Sequence, residues 1–301
     1  MSLWRYKEKK VKKEKKMEGI IPLVKLDNRE SIKPVRAVNS RTIAVRAQDL
    51  IKKGTAQLSE LFYKIKRSGG IHRYLDFKGE IILSTIMRDD LLMRVSNTLF
   101  FDLLEGLKPD YLLTIDCETY DNEYSFSRKQ IIESLTRTVE LMTLFPDIEL
   151  IGLVKGCDRH QFLAHYRILK RLGIRTFAIH AGDFLRAGET QTQRVKSYAS
   201  LIKEDNNAVL LAGFGCQRKL EEFSFVNGYI TYTHMVNAQN GIIFNGRKKT
   251  RNHRMGYHEA GVHNLKQMII NLKDSKNQAK LGEFITWAED QELQEAVIRK
   301  Q

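Results

Sequence analysis

The chain alternates short apolar segments with longer amphipathic ones, and this rhythm restricts the fold more than any other feature. Six segments predict strands: EIILST (80–85), YLLTIDCE (111–118), IELIGLVKG (148–156), TFAIHAGD (176–183), AVLLAGFG (208–215) and YITYTH (229–234). A helical periodicity between them predicts helices over 127–145, 158–173 and 190–205. The strand segments are continuous apolar runs, which are typical of parallel strands buried on both faces.

Repeated strand–helix units favour parallel strands joined by right-handed crossovers. Six strands, with more expected within residues 19–50, fit the α/β class and a TIM (β/α)8 barrel better than an open sheet. No GxGxxG follows a first strand, which counts against a dinucleotide-binding fold. We predict a basic flexible arm over 1–18, the barrel over 19–287, and short C-terminal helices that end in a tail over 288–301.

The charge balance favours a polyanionic partner. The formal net charge is +14 at pH 7 and the pI is about 9.6. Part of the excess lies in WRYKEKKVKKEKK (4–16), where Lys12 and Lys13 are expected to contact phosphates; the alternative is a solubilising tail. A second basic segment, RKKTRNHR (247–254), adds candidate phosphate contacts at Arg247, Lys248, Lys249 and Arg251. Two basic patches far apart in the chain favour nucleic acid as the partner.

Cysteine usage and hydropathy bear on location. Cys117, Cys157 and Cys216 form neither a disulfide framework nor a CxxC zinc pattern, which favours a reducing, cytoplasmic environment. No apolar run approaches the roughly 20 residues that cross a bilayer. The N-terminal segment is too polar and basic for a signal peptide. No membrane partner is therefore expected.

In a barrel of this kind, function resides in the loops after the strand C-termini. The polar and small residues at these ends are Ser84, Thr85, Asp89, Asp90, Asp116, Glu118, Lys155, Gly156, His180, Gly182, Asp183, Gly213, Gly215, Thr233 and His234. Glycines permit close backbone approach of a flat or phosphorylated ligand. Carboxylates can accept from the ring N–H and exocyclic amine of a purine. Each aspartate alone could equally be a structural cap, so the interpretation depends on their convergence on one rim.

Several segments resemble, in order, the tRNA-guanine transglycosylase family. GGIHRYLDFKGEIILS (69–84) is similar to the family's GGLHKF-type segment, and YLLTIDCETYDNEYSFSRKQIIESLTRTVEL (111–141) to its substrate strand and following helix. LIGLVKG, LLAGFG and NAQNGIIF are similar to its I-V-Q-G strand, LMGVG strand and NARNGLLF hairpin. GVHNLKQMIINLK (261–273) is similar to its IHNL helix. The resemblance covers roughly residues 40–285.

The resemblance implies a TIM barrel that exchanges guanine in a polynucleotide for a 7-deazaguanine base. In the family, one aspartate attacks the sugar C1′ to form a covalent intermediate, and a second acts as acid and base. By its position in these motifs, Asp116 corresponds to the family's purine-recognising aspartate. Lys155 stands where the family has a glutamine that contacts the base carbonyl. Ala181-Gly182 falls on the glycine pair that lies against the base. The full set of predicted substrate contacts is Ser84, Asp116, Lys155, Gly156, Gly182, Gly213 and Thr233.

Both catalytic acids of the family are absent from their usual places. Ser84 and Thr85 stand where the acid/base aspartate should follow GEIIL, and Thr233 stands at the place of the nucleophile. The rim carboxylates that remain are Asp89, Asp90, Asp116 and Asp183. We expect active-site roles for Asp116 and Asp183, with His234 or His180 as the proton carrier.

The family's zinc site is also incomplete. His263 stands at the histidine of IHNL, but residues 246–262 contain no cysteine. His253, His258 and His263 are the residual metal candidates, and their spacing fits no usual zinc pattern. We therefore predict no metal or other cofactor, and favour a phosphate-contacting loop in this region.

Two functions remain open. The first is a divergent transglycosylase that acts on nucleic acid, with DNA favoured over tRNA because tRNA-side elements are lost and a basic arm is added. The second is a non-catalytic paralogue that serves as a nucleic-acid-binding subunit. The implied partners are a nucleic acid, a 7-deazaguanine base, and either a second copy of the chain or a partner subunit.

Overall fold

The computed structural model describes residues 17–298 except Lys53, Asp183, Cys216 and His253. The side chain of Arg29 and the side chains after residue 280 are likewise outside the described part. Lys12 and Lys13, with nearly all of the predicted arm, therefore lie outside it, as does the predicted catalytic residue Asp183.

Eight parallel strands form a closed barrel in chain order. They are β1 Gly19–Val24, β2 Thr42–Arg46, β3 Glu80–Ser84, β4 Tyr111–Leu113, β5 Glu149–Leu153, β6 Thr176–His180, β7 Ala208–Ala212 and β8 Gly228–Thr231. The last strand pairs with the first, placing Gly19 opposite Gly228 and Pro22 opposite Thr231. The predicted (β/α)8 barrel is confirmed, and β1 and β2 lie where further strands were expected.

Helices surround the barrel. In the described part they are α1 Lys33–Ala37, α2 Glu60–Arg67, α3 Ile71–Leu75, α4 Asp89–Leu92, α5 Asn97–Leu107, α6 Tyr124–Leu144, α7 Arg159–Arg171, α8 Glu189–Glu204, α9 Thr233–Gln239 and α10 Tyr257–Ile298. The three helices predicted between strands correspond to α6, α7 and α8. At the start of α7, the Asp158 side chain accepts the Gln161 N–H at 2.7 Å. Just after α7, Gly173 has φ +91°, a conformation in which glycine commonly ends helices.

Both faces of the barrel strands are buried. Alternate residues fill the barrel interior, and they include Ile21, Ala44, Ile82, Leu113, Ile151, Leu153, Ala178, Leu210, Ala212 and Ile230. The intervening residues pack outward against the helices in two larger clusters. This double burial explains why the strands appear in the sequence as unbroken apolar runs rather than alternating ones.

After α9 the chain forms a two-stranded antiparallel hairpin, β9 Ile242–Asn245 and β10 Lys248–Arg251. Asn264 of α10, which is fully buried, holds this hairpin. Its Oδ1 accepts the Phe244 N–H at 2.8 Å, and its Nδ2 donates to the carbonyls of Ile242 at 2.9 Å and His234 at 3.2 Å. The neighbouring His263 Nε2 lies 2.7 Å from the Phe244 carbonyl, to which it donates. The His-Asn pair of GVHNL thus fastens α9 and the hairpin to α10.

The C-terminal part of the chain differs from the prediction of short helices. One helix, α10, runs without a break from Tyr257 to Ile298, so the predicted boundary at residue 288 falls inside it. The sequence contains no proline over this range that would interrupt the helix. None of the helices in the described part has the length and apolar character that crossing a membrane requires.

The last barrel strand is shorter than predicted. The segment YITYTH leaves the barrel after Thr231, whose hydroxyl accepts the Thr233 N–H at 3.1 Å. Such a side-chain-to-backbone bond two residues ahead turns the chain, and α9 begins at Thr233. Thr233 and His234 therefore lie in a helix instead of at the end of a strand.

Candidate active site

A cavity of about 840 Å³ opens among the C-terminal ends of the barrel strands. Its volume lies within the range of small-molecule sites in proteins, roughly 300–1,000 Å³. The sequence-predicted residues that line it are Ser84, Asp89, Asp116, Glu118, Lys155, Gly156, His180 and Gly213. The structure thus brings these residues together around one cavity.

Asp116 and Lys155 form an ion pair in this cavity. They follow the neighbouring strands β4 and β5, and Asp116 Oδ1 lies 2.8 Å from Lys155 Nζ. The Cys117 N–H donates to the same Oδ1 at 2.9 Å. The side chain of Asp116 is 4 % exposed and that of Lys155 is 18 % exposed. No hydrogen bond from the described residues reaches Asp116 Oδ2, so this oxygen is left for a ligand.

Lys155 is held in its charged form. Burial by itself lowers the pKa of this lysine, but the Asp116 carboxylate more than offsets that effect, so the pKa lies above its ordinary value of 10.5. Behind it, His165 of α7 places Nδ1 at 3.2 Å from both the backbone N and O of Lys155. Burial lowers the pKa of His165 to about 4, so its ring is neutral at pH 7. The backbone of Lys155 is thus held by a histidine of α7, on the helix that follows β5.

An acidic cluster forms a second part of the cavity wall. The Tyr120 hydroxyl lies 3.0 Å from Asp89 Oδ2 and 3.1 Å from Glu118 Oε2. Burial, together with the two carboxylates, raises the pKa of Tyr120, so the hydroxyl keeps its proton. Glu118 is 6 % exposed, and its Oε1 is buried without a hydrogen-bond partner in the described part. Tyr120 was not predicted as a site residue, because a tyrosine in an irregular segment has no distinctive sequence signal.

An aromatic wall completes the cavity. The rings of Phe162 and Tyr198 stack with centroids 3.9 Å apart, and the Arg194 guanidinium lies 5.7 Å from the ring centroids of Phe184 and Tyr198. Arg194 is anchored by Asp121, at 2.9 and 3.1 Å from its Nη1. All four wall residues line the cavity. Such a surface suits the face of a planar ring, and sequence reasoning missed it because these residues lie on helices and loops where the periodicity indicates core.

The two predicted glycines at the ends of β6 and β7 pack against each other. A Cβ on Gly182 would lie 3.1 Å from the Gly213 carbonyl oxygen, and Gly213 has φ +78°. Gly213 lines the cavity, whereas Gly182 is buried and is absent from the cavity lining among the described residues. Gly182 therefore serves the close packing of two strand ends, and of this pair only Gly213 stays a predicted base contact.

Thr233 and His234 do not reach the cavity lining in the described part of the chain. His234 is fully buried, and neither ring nitrogen has a partner among the described residues. Burial lowers its pKa to about 3, so the ring is neutral at pH 7. The position does not suit the predicted proton carrier, because α9 begins at Thr233 and turns the chain away from the mouth. His180, the alternative, does line the cavity.

The basic segment of the hairpin divides into two roles. Lys248, Lys249 and Arg251 are exposed on β10 and stay predicted phosphate contacts. Arg247 instead forms an ion pair with Glu221 and donates to Ser275 Oγ at 3.0 Å. Its guanidinium therefore ties the hairpin to α10, and the prediction that Arg247 binds phosphate does not fit this arrangement.

The histidines considered for zinc have other partners. His263 donates to a backbone carbonyl, and His258 Nε2 lies 3.6 Å from Glu30 Oε2. His253 lies outside the described residues. Within the described part of the chain, no three His, Cys, Asp or Glu side chains are grouped as a metal site would require.

Comparison with protein-family models gives no match for this sequence, and comparison with curated proteins gives none either.

Proposed function

We propose that this protein exchanges guanine in a nucleic acid, DNA in preference to tRNA, for a 7-deazaguanine base. The Asp116–Lys155 ion pair carries the proposal. The guanine edge presents a ring N–H and an exocyclic amine beside a carbonyl oxygen. Asp116 Oδ2 is a free acceptor, and the Lys155 ammonium has three N–H donors, of which the ion pair uses one. The Asp116 carboxylate and the Lys155 ammonium thus place an acceptor beside a donor, which matches the N–H groups and the carbonyl oxygen of the guanine edge.

The surroundings of the ion pair support a flat heterocyclic ligand. Phe162, Phe184 and Tyr198 give the cavity an aromatic lining, and the Arg194 guanidinium lies beside the rings of Phe184 and Tyr198. The cavity is large enough for a base with its sugar. A base within a duplex would have to leave its stack to enter, at a cost of a few kcal/mol. Phosphate contacts by Lys248, Lys249 and Arg251, and by Lys12 and Lys13 of the arm, would offset that cost.

The reaction we propose has two steps. A carboxylate oxygen bonds to C1′ while the C1′–N9 bond breaks, and the leaving guanine takes up a proton at N9. The incoming base then loses its ring N–H proton, bonds to C1′ and releases the carboxylate. In this proposal Asp116 is engaged by Lys155 and reads the base, so the nucleophile is another carboxylate. Asp183, which lies outside the described residues, stays the candidate predicted from the sequence. His180, or the acidic cluster, can carry the proton.

A second candidate is the non-catalytic binding subunit. It is favoured by the ends of β3 and β8, where Ser84, Thr231 and Tyr232 line the cavity and no carboxylate occupies either end. Such a protein would bind the base and the polymer without catalysing the exchange, and a second copy or a partner subunit would supply the catalytic acid. For either function we infer a cytoplasmic location, in which the free thiols of Cys117 and Cys157 stay reduced.

The test is base exchange. Purified full-length protein is incubated with labelled guanine or 7-cyano-7-deazaguanine and either double-stranded DNA or tRNA, and label in the polymer is counted. Label in DNA that is lost in Asp116→Asn supports the proposal. Label in tRNA alone would replace DNA by tRNA as the substrate. No label in either polymer, with base binding intact, would favour the binding subunit.

A further inference from the structure

Two lysine side chains meet at the end of the barrel opposite the cavity. Asn227 marks the place: its carbonyl accepts the Gly19 N–H at 2.8 Å where β1 begins, and its Oδ1 accepts the Val209 N–H of β7 at 3.0 Å. Lys203 Nζ donates to Asn227 Oδ1 at 3.3 Å, and Lys276 Nζ donates to the Asn227 carbonyl at 3.5 Å. Because all eight strands are parallel, the strand starts gathered at Asn227 lie away from the cavity.

Helix α10 extends this group of positive charges. Lys273, Lys276 and Lys280 are spaced i, i+3 and i+7, so they lie along one face of the helix. Lys273 and Lys280 are exposed, and Lys276 is half-buried. We call these three residues, together with Lys203, the lysine patch. Neighbouring like charges on one helix face destabilise the helix, so the row is unfavourable unless an anion lies against it.

The lysine patch lacks ion-pair partners among the described residues. The lysines that do form ion pairs in that part of the chain are Lys33, Lys155, Lys170 and Lys219. Burial lowers the pKa of Lys276; the Glu18 carboxylate opposes this effect, whereas the charges of Lys203 and Lys280 add to it. The side chains of the patch therefore repel one another more than the nearby acid compensates, which makes the site attractive to an anion.

The predicted basic arm joins the barrel at the same place. Gly19 begins β1 beside Asn227, and Lys16 precedes Gly19 by three residues. The Cα atoms of Lys16 and Gly19 are therefore at most about 11 Å apart. The arm lies outside the described residues, but the covalent connection alone brings its last lysines next to the lysine patch. The two groups of lysines can thus act on one partner.

We infer that the lysine patch binds the phosphate backbone of a nucleic acid, so that the protein has a phosphate-binding surface at the end of the barrel opposite its cavity. Lysine ammonium groups contact phosphates without reading sequence. A row of lysines along a helix suits a polymer with closely spaced negative charges better than a single small anion. The choice of nucleic acid rests on the proposed function, and it holds for both the enzyme and the binding subunit.

Lysine labelling locates the contact. The full-length protein is acylated with and without saturating double-stranded DNA, and mass spectrometry measures the labelling of each lysine. DNA should reduce the labelling of the exposed Lys273 and Lys280 severalfold and leave that of the exposed Lys129 on α6 unchanged. Equal labelling of Lys273 and Lys280 with and without DNA would overturn the inference. Protection by vesicles of anionic phospholipid, without protection by DNA, would assign the patch to a membrane and also overturn it.

A double variant tests whether the contact contributes to affinity. Lys276→Gln/Lys280→Gln should weaken DNA binding and lower the slope of log affinity against log salt by about 2, close to one unit for each lost phosphate contact. Arg128→Gln/Lys129→Gln removes the same charge from two exposed residues of α6 and should leave the slope almost unchanged. Equal slopes in the two variants would overturn the inference. Thermal unfolding verifies that each variant is folded.

Guanine binding separates this inference from the proposed function. Lys276→Gln/Lys280→Gln should bind free guanine as the wild type does, because neither lysine lines the cavity in the described part of the chain. A wild type that fails to bind guanine, while DNA still protects Lys273 and Lys280, would contradict the proposed base exchange and support the lysine patch. A loss of guanine affinity in the folded double variant would place the effect at the cavity and overturn the inference.

Discussion

Asp116 Oδ1 lies 2.8 Å from Lys155 Nζ, joining the ends of two adjacent barrel strands inside the cavity. The pair is almost fully withdrawn from water, and one carboxylate oxygen and part of the ammonium remain available to a ligand. A buried charge is costly unless it is paired, so neither residue is tolerated there without the other. The same contact therefore supports the folded state and shapes the surface that we propose binds the base.

Lys155→Met should strongly destabilise the fold. It leaves the Asp116 carboxylate buried without its partner, which typically costs about 3–5 kcal/mol. Urea unfolding measures the loss. Lys170→Met is the matched control. Lys170 Nζ lies at the same 2.8 Å from Asp205, but both side chains are more than a third exposed, at 35 % and 43 %. The double variant Asp116→Leu/Lys155→Met should recover much of the stability; equal losses in the single and double variants would contradict this account.

The buried histidines predict the acid limb of stability. Burial lowers the pKa of His234 to about 3 and that of His165 to about 4, from 6.5. Below pH 6.5 the unfolded chain takes up protons that the folded chain does not. The free energy of unfolding therefore decreases as the pH is lowered, until the pH reaches the pKa of the histidine in the folded chain. Each histidine contributes at most about 1.4 kcal/mol per pH unit.

His234→Leu should flatten this dependence, since it removes one of the two buried rings. Its urea midpoint should equal or exceed that of the wild type at pH 7.5, because the buried ring nitrogens have no partner in the described part, and should fall less between pH 6.5 and 4. The exposed His160 gives the control variant His160→Gln. A slope in His234→Leu as steep as in the wild type would contradict this account, because it would mean that His234 takes up its proton as readily in the folded chain as in the unfolded one.

The barrel could be predicted from the sequence for a physical reason. Strands such as AVLLAGFG are buried on both faces, so they appear in the sequence as short apolar runs. Their length, which is below that of a typical helix, and the glycines that follow them favour strands. Their C-terminal ends were less accessible. YITYTH continues the strand pattern through His234, but the hydroxyl of Thr231 accepts the Thr233 N–H and ends the strand, and nothing in the alternation of residues signals that local competition.

The site was predictable only where it depends on strand ends. Asp116 and Lys155 follow predicted strands, so barrel topology alone brings them together. Tyr120, Phe184 and Arg194 come from loops and helices whose arrangement depends on tertiary packing, so their place in the cavity could not be predicted. His263 shows the limit of motif reasoning: its role here is a hydrogen bond to the Phe244 carbonyl, which the motif does not encode.

Asn264→Ala should loosen the hairpin as well as destabilise the fold. It removes the buried side chain that serves three backbone groups, at a cost of about 3 kcal/mol. Hydrogen exchange should accelerate most at the Phe244 amide. Gln267→Ala, one turn further along α10, is the control, and uniform acceleration across the barrel strands would show that the effect is global.

The exposed hairpin lysines should contribute to polymer binding without regard to sequence. Lys248→Gln/Lys249→Gln should weaken DNA binding and reduce the slope of log affinity against log salt by about 2, close to one unit for each lost phosphate contact. The control is Arg128→Gln/Lys129→Gln, which removes the same charge from two exposed residues of α6. It should leave the slope almost unchanged. Equal slopes for the two double variants would mean that the hairpin lysines contribute only through the net charge of the protein.

The measurement that tests the central claim most directly is the affinity for free guanine of wild type and Asp116→Asn, by calorimetry, together with their affinity for double-stranded DNA. The account predicts that Asp116→Asn, shown to be folded by circular dichroism, binds guanine at least about thirtyfold more weakly through loss of charge-assisted hydrogen bonds. DNA affinity should be unchanged, because the residues that we propose contact phosphates do not line the cavity. Equal guanine affinity in the two proteins would contradict the assignment of Asp116 as the residue that reads the base.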